Sequence, residues 1–305
     1  MREIVLQTKR LTKKYKNFVA LNSADMTVYR KDIYGLIGRN GAGKTTLMKM
    51  VTGLAQKTEG DFEVFGKNSN EYVSEKKRVG CLIENPAFFP NLTAYQNLRY
   101  YAYQKGITDL KQIDDALDSV KLTDVRNRKF RKFSLGMKQR LGIAFAMLDN
   151  PDLIILDEPI NGLDPIGISE LRDTFRRLNE ERGITLVISS HILSELYAVA
   201  NRFLFIDKGI VLKEVTKAEL DFECSRCIVV KTNDTKRGAT MLEELLGIND
   251  FKVIDEKEIR IYAPNIKSVD VNRALVNGGL DISEIFESGV SLEDYFKQLV
   301  GEGKS

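Results

Sequence analysis

One nine-residue segment constrains the fold more than any other feature of the chain: Gly38-Arg-Asn40-Gly41-Ala42-Gly43-Lys44-Thr45-Thr46. It fits the phosphate-loop pattern GxxxxGKT and stands between the apolar run Ile33 to Ile37 and a helical pattern starting at Gly43, the context that the pattern requires. Glycines let successive backbone N–H groups wrap a β-phosphate, and the helix start adds a favourable dipole. In such a loop Lys44 bridges the β- and γ-phosphates and the Thr45 hydroxyl ligates Mg²⁺. Strand, loop and helix must therefore follow one another here, which points to an α/β layer fold.

The rest of the chain agrees with that reading. Short apolar runs alternate with helical patterns, at Leu153 to Leu156 and again at Leu186 to Ser189, and predict a largely parallel central sheet. The run Leu153-Ile-Ile-Leu156 ends in Asp157 and Glu158, after Asn150-Pro151 has broken the preceding helix. Successive side chains at a strand end face opposite ways, so the two acids take different roles: Asp157 in the Mg²⁺ shell, Glu158 facing the γ-phosphate to polarise water. Between about residues 86 and 150 the pattern turns helical, with Thr93-Ala-Tyr-Gln96 as a capping box. Asp207-Lys-Gly209 predicts a hairpin closing a first domain, residues 1–215. Residues 216–305 read as a small α+β module whose last helix opens on a second capping box, Ser291-Leu-Glu-Asp294.

Composition excludes several classes. With 46 Lys+Arg against 43 Asp+Glu the net charge is only +3, which argues against a chain whose main task is coating nucleic acid. Cys81, Cys224 and Cys227 give no disulfide framework; the one CxxC has no second pair to complete a zinc site, so a reducing cytoplasm is expected. No apolar run approaches the ~18 residues of a membrane helix, so any work at a membrane must pass through a partner.

Taken together, the phosphate loop, Phe133-Ser134-Leu-Gly136-Met137 before a helix, Asp157-Glu158, Asn161-Gly-Leu-Asp164, and the single histidine, His191, after the run Thr185 to Ser190 resemble the ATPase subunit of an ABC transporter. The resemblance covers about the first 215 residues. It implies an ABC-type phosphate-loop ATPase domain with a helical subdomain, ATP and Mg²⁺ as ligands, and a head-to-tail homodimer. In that dimer Ser134 and Gly136 of one copy close over the γ-phosphate held by the other. It further implies that Asp164 links the two sites, that His191 contacts the γ-phosphate, and that Tyr15 stacks on adenine. A separately encoded permease is the implied partner, holding the chain at the cytoplasmic face of the membrane.

Two positions depart from the common family pattern. The signature segment usually reads Leu-Ser-Gly-Gly-Gln, and Glu84 stands where glutamine is usual; a carboxylate there still reaches Mg²⁺ but adds negative charge. Glu84 and the segment Ala87 to Leu98 are similar to the branch that protects bacteria against bacitracin and lantibiotic peptides, with a nutrient importer or an exporter of another cargo as alternatives. The aromatic residues Phe88, Phe89, Tyr95 and Tyr100 are expected at the permease interface, with Phe88 or Phe89 in contact with it.

Overall fold

A computed structural model describes residues 2–84, 88–225, 227–263 and 266–302. The expected start of the helical insertion at Pro86, with its neighbours Asn85 and Ala87, lies outside the described residues. The chain divides into two compact units, Met1–Lys217 with Gln298–Ser305, and Ala218–Lys297.

The first unit holds two sheets. Strands β1 (Ile4–Tyr15) and β2 (Phe18–Tyr29) pair as a hairpin, and β3 (Ile33–Ile37) then enters the core and runs through the phosphate loop into helix α1 (Lys44–Val51). Strands β4 (Glu59–Val64) and β5 (Lys67–Asn68) return beside β1, so the first sheet is antiparallel in the order β2-β1-β4-β5. The second sheet is the largely parallel central sheet that the sequence predicts; the antiparallel first sheet was not anticipated. Strand β6 (Val79–Leu82), the helical subdomain of α2 (Ala94–Gln104), α3 (Lys111–Ser119) and α4 (Leu135–Met147), then β7 (Leu153–Leu156) and α5 (Pro165–Glu180) follow. Strand β8 (Thr185–Ser190), helix α6 (Leu193–Tyr197), and the hairpin of β9 (Arg202–Asp207) and β10 (Ile210–Thr216) complete the unit.

The second sheet has the order β10-β9-β3-β8-β7-β6, parallel except for the hairpin at its edge. Strands β3, β7 and β8 are buried along their whole length, which is why each reads as a short apolar run, broken in β8 only by Thr185, Ser189 and Ser190. Because β6, β7, β8 and β3 run the same way, their carboxyl ends share one edge of the sheet. The chain reversal at such an edge is where open α/β sheets bind ligands.

Helix α7 (Lys217–Cys224) leads into the second unit, which holds β11 (Cys227–Thr232), α8 (Thr235–Leu246), β12 (Phe251–Val253), β13 (Glu258–Ile261), α9 (Ser268–Asn277), β14 (Ile282–Ser288) and the start of α10 (Leu292–Glu302), whose residues from Gln298 belong to the first unit. The antiparallel order β12-β13-β11-β14 is a split β-α-β arrangement around a core of Val230, Leu242, Ile259, Val271 and Leu275. The expected capping box at Ser291 is half formed: its hydroxyl oxygen accepts from the Asp294 N–H at 3.1 Å. The Asp294 carboxylate accepts from that same hydroxyl at 2.8 Å instead of returning to the backbone.

Candidate functional site

The site is built where β3, β7 and β8 end. Leaving β3, the chain turns back on itself so closely that a Cβ on Gly38 would stand 2.4 Å from the Ile206 carbonyl oxygen. Gly43 has φ +107°, and a Cβ there would meet the Ala20 carbonyl oxygen at 2.7 Å. Glycine is thus demanded at both positions by the fold itself. Helix α1 begins at Lys44 with no side-chain cap, so its first N–H groups point into a cavity of about 270 Å³ lined by Phe18, Asn40 to Thr46 and Glu158.

Lys44 is 5 % exposed. Its Nζ donates to the carbonyl oxygens of Gly38 at 2.6 Å and Arg39 at 3.3 Å, both in its own loop. The Glu158 Oε1 lies 3.0 Å from Nζ, a charge contact without the alignment of a hydrogen bond. The other oxygen, Oε2, is 2.8 Å from His191 Nδ1. A carboxylate only accepts, so in that contact Nδ1 carries the proton and donates it to Glu158. Glu158 itself has φ +47°, a conformation that costs a residue with a Cβ about 1–2 kcal/mol. Strain at the one acid that touches both Lys44 and His191 marks a position set by its task and not by local preference.

Asp157 faces elsewhere, as alternation along a strand requires. Its Oδ2 accepts from the Thr45 hydroxyl at 2.6 Å and its Oδ1 from the Ser189 hydroxyl at 2.6 Å. Ser189 was not singled out in the sequence. It is fully buried, donates to Asp157, and accepts the Glu158 N–H at 2.8 Å, so one side chain on β8 fixes both acids of β7. Two adjacent serines inside an apolar strand, Ser189 and Ser190, were the available signal, since a buried hydroxyl needs partners.

Other expected residues lie apart from this cluster. Glu84, with φ +68° and a side chain 71 % exposed, accepts from Lys49 Nζ at 2.6 Å, a hydrogen bond that raises the Lys49 pKa. No hydrogen bond among the described residues joins Glu84 to Thr45 or Asp157. Tyr15 is 48 % exposed at the tip of the β1–β2 hairpin, with the Lys13 ammonium 4.7 Å from its ring centroid. The aromatic ring lining the phosphate-loop cavity is that of Phe18, its cross-strand partner, which the sequence reading passed over.

Ser134, Gly136 and Asp164 line a second cavity, of about 390 Å³. Ser134 caps α4 by accepting from the Met137 N–H at 3.3 Å, and Asp164 caps α5 by accepting from the Gly167 N–H at 2.8 Å. A Cβ on Gly136 would make only ordinary contacts, the nearest at 3.7 Å, so nothing in this chain's own packing demands glycine there.

The permease expectation needs correcting at Phe88. That ring is 7 % exposed and packs against Phe130 at 5.1 Å and Tyr101 at 5.8 Å, which commits it to the subdomain core. Phe89 and Tyr100 remain at the surface, their centroids 4.9 Å apart. Asn97, fully buried and also unforeseen, holds the Phe89 loop by accepting its N–H at 2.8 Å and donating to the Thr93 carbonyl at 2.9 Å.

A phosphate loop after β3 facing acids that end β7, parallel to it and one strand removed across β8, defines a nucleoside-triphosphate-binding cassette. Comparison narrows the class: residues 21–161 match the family described as ABC transporter. The bacitracin transport ATP-binding protein BcrA of Enterococcus faecalis is 42% identical over 302 residues, 99% of this chain and 98% of that protein. The lantibiotic transport ATP-binding protein SrtF of Streptococcus pyogenes is 41% identical over 210 residues, covering 69% of this chain and 90% of that one. A solved ATP-binding subunit of an ABC transporter is 28% identical with a TM-score of 0.61, over 72% of this chain and 92% of its own. The chain belongs to the ABC transporter family as an ATP-binding subunit. Among its described residues no helix is long and apolar enough to cross a membrane.

Proposed function

We propose that the chain hydrolyses ATP to drive export of an antimicrobial peptide of the bacitracin or lantibiotic kind through a separate permease, which holds it at the cytoplasmic face of the membrane. The observation that carries the reading is Glu158 set between Lys44 and His191 at 3.0 and 2.8 Å. Residues 1–215 are the ATPase domain in this reading and residues 216–305 an accessory domain. The cargo follows from BcrA and SrtF, since full-length similarity to the first extends through the accessory domain.

ATP enters with its phosphates along the glycines of the loop and its base near Tyr15 and Phe18. Lys44 exchanges its carbonyl contacts for the β- and γ-phosphates. The Thr45 hydroxyl and Asp157 carboxylate, hard oxygen donors 2.6 Å apart, would hold Mg²⁺, with Glu84, here bonded to Lys49, as the third residue assigned to it. When bound, that ion neutralises charge on the phosphate oxygens. Water attacks the γ-phosphorus in line, its proton passing to Glu158, while the bond to the bridging oxygen breaks and leaves ADP and phosphate. His191, held through Nδ1 by Glu158, meets the transferring oxygens with its other ring nitrogen, which donates to them in the imidazolium form.

The second cavity completes the site from another copy. Ser134 and Gly136 lie in a cavity lined by a different residue set from that of the phosphate loop, which supports closure over the γ-phosphate by a second copy, head to tail, with Asp164 at the seam. Phe89 and Tyr100 then supply the permease contact.

The test is growth inhibition by bacitracin, several lantibiotics and unrelated drugs in cells carrying the native permease with this chain intact or as Lys44→Ala. Sensitisation to one peptide class alone is the expected result; equal growth across the panel would remove the cargo assignment.

A further inference from the structure

The chain's positive charge is not spread evenly. Between Lys121 and Lys138 there are seven cations and one carboxylate, Asp124, although the whole chain carries only +3. The remainder is therefore net negative, and this segment opposes it.

Three of these cations, or near neighbours of them, are used internally. Arg126 pairs with Asp114 at 2.8 Å and lies over the Tyr95 ring, Lys138 lies over the Phe130 ring, and Arg140 pairs with Glu170 at 3.1 Å. Arg128, Lys129, Arg131 and Lys132 are different. All four are exposed, and among the described residues no carboxylate stands within ion-pair distance of them. Four like charges in five residues repel one another, so the fold gains nothing from holding them together.

Yet they are held. Four backbone hydrogen bonds stitch the segment to the loop before α2: Ala94 N–H to Arg128, Tyr95 N–H to Arg126, Phe130 N–H to Leu92 and Arg131 N–H to Pro90. Phe130 turns inward onto Phe88 and Phe133, anchoring a turn of 3₁₀ helix, Phe130–Lys132, whose cations remain in solvent. The backbone of the strip is thus held by these bonds before any partner arrives, so binding need not order it.

We propose that Arg128, Lys129, Arg131 and Lys132 form a docking surface for anionic lipid headgroups. The inference rests on the reading that the chain works against a membrane permease. Phe89, assigned there to the permease, adjoins Pro90, whose carbonyl accepts from Arg131, so a chain seated on its permease holds the strip beside the bilayer. A compact set of four Lys and Arg at a membrane surface is the charge pattern that anionic leaflets attract, and the attraction fades within a Debye length as salt rises.

The experiment is co-sedimentation of the full chain, without permease, with vesicles of phosphatidylglycerol and phosphatidylcholine or of phosphatidylcholine alone. Three proteins are compared: wild type; the strip variant Arg128→Gln, Lys129→Gln, Arg131→Gln, Lys132→Gln; and a control of equal charge loss, Lys67→Gln, Lys76→Gln, Lys77→Gln, Lys111→Gln. Wild type and control should bind the anionic vesicles about tenfold or more tightly than the strip variant, and lose that binding in high salt. Strip-variant binding equal to wild type would overturn the proposal, as would wild type that ignores anionic vesicles. ATP turnover in solution is measured on the same samples. Turnover without vesicle binding sinks the lipid surface alone, whereas no turnover in wild type sinks the ATPase reading.

Discussion

Replacing Ser189 with alanine separates orientation of the acids from the acids themselves. The hydroxyl makes two hydrogen bonds at zero exposure, one to Asp157 at 2.6 Å and one from the Glu158 N–H at 2.8 Å. Its loss orphans a buried N–H, at about 1–3 kcal/mol, and removes a charge-assisted bond of about 1.5–3 kcal/mol, for a total of roughly 3 kcal/mol after partial relaxation. For a unit of this size that lowers Tm by about 6–12 °C. Because Asp157 and Glu158 both lose their anchor, kcat should fall about 10- to 100-fold while nucleotide affinity changes little. The control is Thr185→Val at the opposite end of β8, which deletes only the bond from the Lys31 N–H at 3.0 Å. It should cost about 1 kcal/mol and leave turnover intact. The assays are thermal denaturation and steady-state phosphate release. If Ser189→Ala turns over within twofold of wild type, or Thr185→Val loses as much activity, the hydroxyl does not position the acids.

Three further outcomes follow from single environments. Phe88→Ala should destabilise the protein by about 3–5 kcal/mol, whereas Phe89→Ala should leave the melting curve nearly unchanged and reduce recovery of the permease complex. Burial pushes the Tyr72 phenol from 10.0 up to about 12, with Cys81 adding to it, so folding favours its neutral form. The stability this confers is complete below pH 10 and is lost as pH rises toward about 12; Tyr72→Phe should flatten the alkaline fall in Tm across that window. Burial also raises both Cys224 and Cys227, with nearby carboxylates adding to the rise at Cys224, so at neutral pH alkylation of either should be slower than that of an exposed thiol in the unfolded chain.

What the sequence exposed and what it hid divide along the range of the interactions. The phosphate loop was legible because its glycines, lysine and threonines recur at fixed spacing in one short segment, although what demands glycine at Gly38 and Gly43 includes the distant carbonyls of Ile206 and Ala20. Strands β3, β7 and β8 were legible because burial on both faces leaves a short apolar run. The first sheet was hidden: β1 and β2 pair locally, but β4 joins them from across the chain, and no periodicity announces a long-range partner. Ser189 was hidden for the same reason, since its meaning lies on the neighbouring strand. Phe88 and Phe89 show the limit sharply. Adjacent and identical in type, they part into core and surface, and the rings of Tyr101, Phe130 and Phe145, far along the chain, decide which is which.

The central claim is that Glu158 activates the water while the rest of the site binds ATP and closes the dimer. Glu158→Gln keeps the shape of the side chain and removes the proton acceptor. Analytical ultracentrifugation with ATP and Mg²⁺, run beside a phosphate-release assay, tests the claim most directly. The account predicts a stable ATP-dependent dimer with turnover lost; near-normal hydrolysis, or a protein that stays monomeric with ATP bound, would contradict it.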